Sequence, residues 1–133
     1  MVDPSHESLM ERIFDSKPKE QAEMMRNGMN GFYASKSIAI QNEFKEVNNI
    51  ASIMKEIKLP VSIPITIIAS YQIPPPPFSP EDINIKKELF NNWIEDAPQT
   101  KLISTTKSGH YVHYSEPKIV INAIAEMINN LRD

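Results

Sequence analysis

Residues 61–70, Val-Ser-Ile-Pro-Ile-Thr-Ile-Ile-Ala-Ser, constrain the architecture of this chain more than any other stretch. The run is rich in β-branched residues and almost continuously apolar, which suits a strand buried on both faces of a parallel sheet. A parallel strand needs a crossover to its neighbour, and the following residues supply one. Pro74, Pro75, Pro76 and Pro77 form an extended, polyproline-like connection. Ser79, Pro80, Glu81 and Asp82 then make a helix start: a capping serine, proline at the first helical position and acids against the helix dipole. A helix is predicted over residues 80–95, burying Ile85, Leu89, Phe90 and Trp93. Residues 101–106 form a second, shorter strand, and Ser115, Glu116 and Pro117 open a last helix with Val120, Ile121, Ile124, Ile128 and Leu131 on its apolar face. This order of strand, helix, strand, helix predicts an α/β fold with two parallel strands. Two strands are too few for an independently stable sheet, so either further strands belong to it or the helices cover its edges.

The front of the chain has a different pattern. Asp3 before Pro4 looks like an N-cap with proline in the first turn, and Leu9, Met10, Ile13 and Phe14 follow at helical spacing. Pro18 restarts the pattern with Ala22, Met25 and Met29, and Gly28 and Gly31 are expected to stop it. From Ser35 to Ile57 the apolar positions again suit a helix, with a break expected at Asn48 and Asn49. The expected organisation is a helical segment over residues 1–58 and an α/β segment over residues 59–133.

Composition removes several function classes. The net charge of −3 comes from interspersed charges, with no basic stripe to neutralise phosphates, so nucleic acid is not an expected partner. No apolar run approaches the roughly 18 residues that span a bilayer, so no membrane span is expected either. The absence of cysteine excludes disulfides and thiolate chemistry and fits a reducing, cytoplasmic setting. With only Gly28, Gly31 and Gly109 in the chain, neither a phosphate-cradling loop nor a Gly-x-Ser-x-Gly turn can be built. No cofactor is expected.

Chemistry concentrates in residues 108–118, between the second strand and the last helix. Gly109 before His110 lets the backbone bend at a strand end, and histidine is the side chain whose proton affinity lies near neutral pH. His113 completes a His-x-x-His spacing, but no third ligand of matching spacing accompanies it, so no metal site is expected. The Ser-Gly-His motif with the Glu116-Pro117 helix start and a terminal amphipathic helix resembles the catalytic-histidine turn of the α/β hydrolases. The resemblance covers residues 60–131, and the helical front looks like the cap, or lid, of such enzymes. It implies a partial α/β-hydrolase fold in which His110 takes a proton from a nucleophile and returns it to the leaving group.

In most members of that family an acid following the penultimate strand orients the histidine, in a Gly-x-x-Asp sequence. Here Tyr71, Gln72 and Ile73 stand at the matching positions. Some members place the acid earlier, at the end of the preceding strand or near the cap. Glu43 is the first candidate on that basis, followed by Glu81 and Asp82. No serine has the small flanking residues of the family's nucleophile elbow. The resemblance therefore implies the C-terminal fragment of a serine hydrolase for ester, amide or related acyl substrates, carrying His110 but inactive alone. Its partners would be the small-molecule substrate of the intact enzyme and an N-terminal half, or a second copy joining through the open sheet edge. The alternative is a non-catalytic interaction module that pairs through that edge.

Overall fold

The computed structural model describes residues 1–130, so Leu131 lies outside the described residues. The chain forms two compact units, one of Met1–His6 with Leu59–Asp133 and one of Glu7–Lys58. The second unit is helical: α1 (Leu9–Asp15), α2 (Lys19–Ala34) and α3 (Ile38–Met54). Among the described side chains of this unit, Ile13, Phe14 and Met25 are buried, and Tyr33 stacks on Phe44 with ring centroids 3.8 Å apart.

Two of the stop signals expected in this unit do not act. α2 runs through Gly28 and Gly31, because neither adopts the left-handed conformation that a C-terminal cap requires. α3 continues through Asn48 and Asn49. A Cβ added at Gly28 or Gly31 would meet nothing within 4 Å. Gly28→Ala and Gly31→Ala are therefore each expected to stabilise the helical unit by about 0.5–1 kcal/mol, read as a rise in urea midpoint. A fall in midpoint would mean that one of these positions needs its backbone bare.

The other unit is built around β1 (Ile65–Ser70), α4 (Pro80–Asp96), β2 (Thr100–Thr105), the short α5 (Val112–Ser115) and α6 (Pro117–Asn130). β1 and β2 are parallel, in register from Ile65 opposite Thr100 to Ser70 opposite Thr105, with α4 between them in sequence. Ser79 and Asp82 form the reciprocal capping box at the start of α4, the Ser79 N–H donating to Asp82 Oδ2 at 2.8 Å. The mixed α/β character and the parallel pair agree with the sequence pattern.

The first residues depart from it. Instead of capping a helix, Met1–Asp3 lies along the free edge of β1: Val2 forms a parallel bridge to Ile68, Ile68 N–H donates to the Met1 carbonyl at 2.8 Å, and Asp3 N–H donates to the Ile68 carbonyl at 2.6 Å. β1 is thus central, with hydrogen-bonded backbone on both edges. Its side chains alternate between two helical layers. Ile67, Ala69 and Tyr71 pack with Ile83, Phe90 and Trp93 on the α4 side, whereas Ile68 packs with Ile103, Val112, Ile119, Val120 and Ala123 on the α5–α6 side. His6 is buried and stacks on Trp93 at 4.5 Å, which anchors the end of the N-terminal segment to α4. In α4, Ile83 takes the buried position expected of Ile85, which is half-buried. In α6, Ala123 is buried, with Ile119, Val120 and Met127 half-buried on the same side, and the expected core residues Ile121, Ile124 and Ile128 are exposed. A helix this apolar around its circumference has no unique inward face in its sequence pattern.

Candidate active site

The turn that follows β2 is held by one carboxylate. Thr105 Oγ1 and Ser108 Oγ both donate to Glu116 Oε2 at 2.6 Å. The side chain just before Pro117 therefore ties the end of β2 and the middle of the turn to the start of α6. Ser108 is buried, and its carbonyl accepts a 2.5 Å bond from Ser70 Oγ at the end of β1. Gly109 follows with no positive φ. A Cβ there would stand 3.1 Å from Oε1 of the exposed Gln72 side chain, which would have to give by a few tenths of an ångström. His110 emerges from this braced turn, beyond the C-terminal end of β2, where open α/β sheets place their sites.

The bonds from Ser108, and then from Thr105, hold the Glu116 carboxyl below the usual glutamate value. A carboxylate whose folded-state proton affinity is depressed adds stability above its unfolded value of about 4.3, and loses it as the pH falls through the folded value. Urea midpoints of the wild type should therefore decline on acidification below that point, and Glu116→Gln should flatten this part of the decline. Identical acid limbs would dismiss Glu116 as the brace of the turn.

His110 has its Nδ1 2.9 Å from Asp3 Oδ2, and its side chain is 63% exposed whereas that of Asp3 is 5% exposed. The remaining Asp3 oxygen accepts two further bonds, from Ser70 N–H at 2.8 Å and from Lys86 Nζ at 2.6 Å. Lys86 also donates to the Ser70 carbonyl at 2.9 Å. Asp3 has φ of 39°, the one positive φ at a non-glycine residue among the described residues. Asp tolerates this left-handed conformation better than most residues, but such strain persists where surrounding contacts over-determine it. Here they do: the N–H is taken by Ile68 and the carboxylate by Ser70, Lys86 and His110. Burial, and then the charge of Asp3, raise the Tyr71 phenol above its ordinary value.

Compared with protein-family models, curated proteins and solved structures, the chain matches none of them. The site is described by its own geometry. A carboxylate can only accept, so Nδ1 of His110 carries the proton of the Asp3 bond, and in the neutral ring the lone pair lies on Nε2. A lone pair so placed can remove a proton from a hydroxyl or thiol brought to it.

Of the residues expected at the site, His110 is the one found in such a pair. Glu43 is exposed on α3 in the helical unit, and the carboxylate on the His110 ring belongs to Asp3. Glu81 and Asp82 lie in the first turn of α4, with Asp82 in the capping box. His113 is exposed on α5, its ring 4.7 Å from that of Tyr114. No group of three His, Cys, Asp or Glu residues able to hold a metal occurs among the described residues. A cavity of about 270 Å³ lined by Ile63, Thr66, Lys101 and Glu126 lies at the opposite end of the strands from His110. No helix among the described residues is long and apolar enough to cross a membrane.

Proposed function

We propose that this chain is the C-terminal, histidine-bearing part of a serine hydrolase of the α/β-hydrolase fold, with His110 as general base and Asp3, in place of Glu43, as the acid that orients it. The observation that carries the reading is the 2.9 Å contact between a strained, buried carboxylate and an exposed imidazole at the C-terminal ends of parallel strands. Asp3 stands at the end of the segment paired alongside β1, which is one of the places where members of this family carry their acid. In the reaction, Nε2 of His110 accepts the proton of a serine hydroxyl as that oxygen attacks an acyl carbon. Asp3 stabilises the imidazolium, which then protonates the leaving group. The serine and the oxyanion-stabilising donors come from a nucleophile-bearing half outside this sequence.

The isolated chain should leave a p-nitrophenyl ester unhydrolysed above background. Co-expression with the nucleophile-bearing half of a hydrolase of this fold should give turnover that His110→Ala removes. Turnover by the assembled pair that survives His110→Ala would sink the proposal. A non-catalytic module is the second reading, favoured by the exposed Ile121, Ile124 and Ile128 on α6 and by a sheet that has, among the described residues, two named strands. It predicts concentration-dependent association in sedimentation together with a His110→Ala variant that behaves as the wild type in every respect.

A further inference from the structure

Asp3 has two oxygens with separate tasks. Oδ2 meets His110, while Oδ1 is gripped by the Lys86 ammonium and the Ser70 N–H. Lys86 does not need this arrangement to satisfy a surface role, because it projects from α4 with only 13% of its side chain exposed. Its Nζ stands 5.5 Å from the centroid of the buried Phe90 ring and bridges Asp3 Oδ1 to the Ser70 carbonyl. Burying an ammonium is costly unless it is both paired and hydrogen-bonded, and here it is both. The capping of α4 sets this helix independently of the site, so the ammonium enters from a rigid element.

We infer that Lys86 is a positioning residue of the Asp3–His110 pair: by clamping Oδ1 against Ser70 it fixes the carboxylate plane, so that Oδ2 holds the His110 ring with Nε2 outward. The inference rests on the reading of Asp3 and His110 as a catalytic pair. Charge and position make opposite predictions here. If Lys86 acted only through its charge, its removal would leave Asp3 a stronger acceptor and tighten the bond to Nδ1–H. If it acts by position, its removal frees the carboxylate to rotate and the bond loosens.

The test is imidazole ¹⁵N spectroscopy of the full chain, with His110 assigned through His110→Gln. In the wild type, the neutral ring should show a protonated Nδ1 and an unprotonated Nε2. In Lys86→Met, which keeps the length of the apolar stem, the two nitrogens should move toward a common average. Exchange of the Nδ1 proton with solvent should rise roughly ten- to a hundredfold, the range that accompanies loss of one charge-assisted hydrogen bond. Lys86→Arg, which keeps a cationic hydrogen-bond donor at this position, should restore the wild-type pattern. If Lys86→Met does not fold, Lys86→Gln carries the test, because a neutral amide donating to one oxygen should give an intermediate pattern. A Lys86→Met ring with a wild-type or better protected Nδ1 proton, or a Lys86→Gln ring identical to the wild type, overturns the role of Lys86. An unchanged ring in Asp3→Asn instead overturns the underlying pair, so the two failures are distinct.

Discussion

Replacing Asp3 by alanine is expected to destabilise the sheet unit by about 3–5 kcal/mol, the usual cost of removing one partner from a buried ion pair. The loss falls on groups that cannot recover it from water. The Lys86 ammonium, with its side chain 13% exposed, keeps only the Ser70 carbonyl, and Ser70 N–H loses its acceptor. The relief of backbone strain at φ 39° works in the opposite direction, because alanine has less claim on that conformation than aspartate and will leave it. Leaving it also weakens the bonds that Met1 and Asp3 make with Ile68. Urea denaturation of wild type, Asp3→Ala, Lys86→Met and the double variant closes a cycle that isolates the pair. The double variant should be more stable than Asp3→Ala, because no uncompensated ammonium is left inside. An Asp3→Ala variant within about 0.5 kcal/mol of the wild type would mean that this carboxylate is not buried in solution.

The sheet core was legible because its signals are local. The β-branched composition of β1 survives any tertiary context, and the Ser79-Pro80 start of α4 with Asp82 in its first turn completes a capping box within four residues. The candidate site was half legible. His110 was visible because glycine before it and a proline-started helix after it mark a turn between a strand and a helix. Asp3 was not, since the bond to His110 joins residues 107 apart in sequence, and the local signal of Asp3-Pro4 points to a helix cap. Only the pairing of Met1–Asp3 with β1 gives Asp3 its place, and a segment of three residues has no strand periodicity to announce this. Glu43 sits in an amphipathic helix and had nothing beyond its charge to separate it from other solvated carboxylates. The local pattern marks Glu116 as part of a helix start, whereas its carboxylate also reaches back to Thr105 and Ser108. The glycines of α2 show the converse error: a strong local stop signal is overridden where no left-handed turn follows.

Under the proposed hydrolase reading, with a nucleophile-bearing half supplied, Asp3→Asn should lower kcat by about 10⁴ while leaving KM within a few-fold, because the loss concerns the ring's state rather than substrate contact. Asparagine keeps the size of aspartate and can retain the bond from Ser70 N–H through its amide oxygen. Its amide nitrogen, however, then faces the Nδ1 of His110 as a donor. The ring answers by placing its own proton on Nε2, where the attacking hydroxyl needs a lone pair. The variant also removes the negative charge that stabilises the imidazolium formed during attack. His110→Ala should cost at least as much, and the double variant should be no worse than His110→Ala alone, since residues that act as one unit do not contribute additively. The ¹⁵N state of the ring gives an independent check on the same variant: the proton should be found on Nε2 in the isolated Asp3→Asn chain. A drop of less than about tenfold in kcat, with the proton still on Nδ1, would show that another carboxylate orients His110.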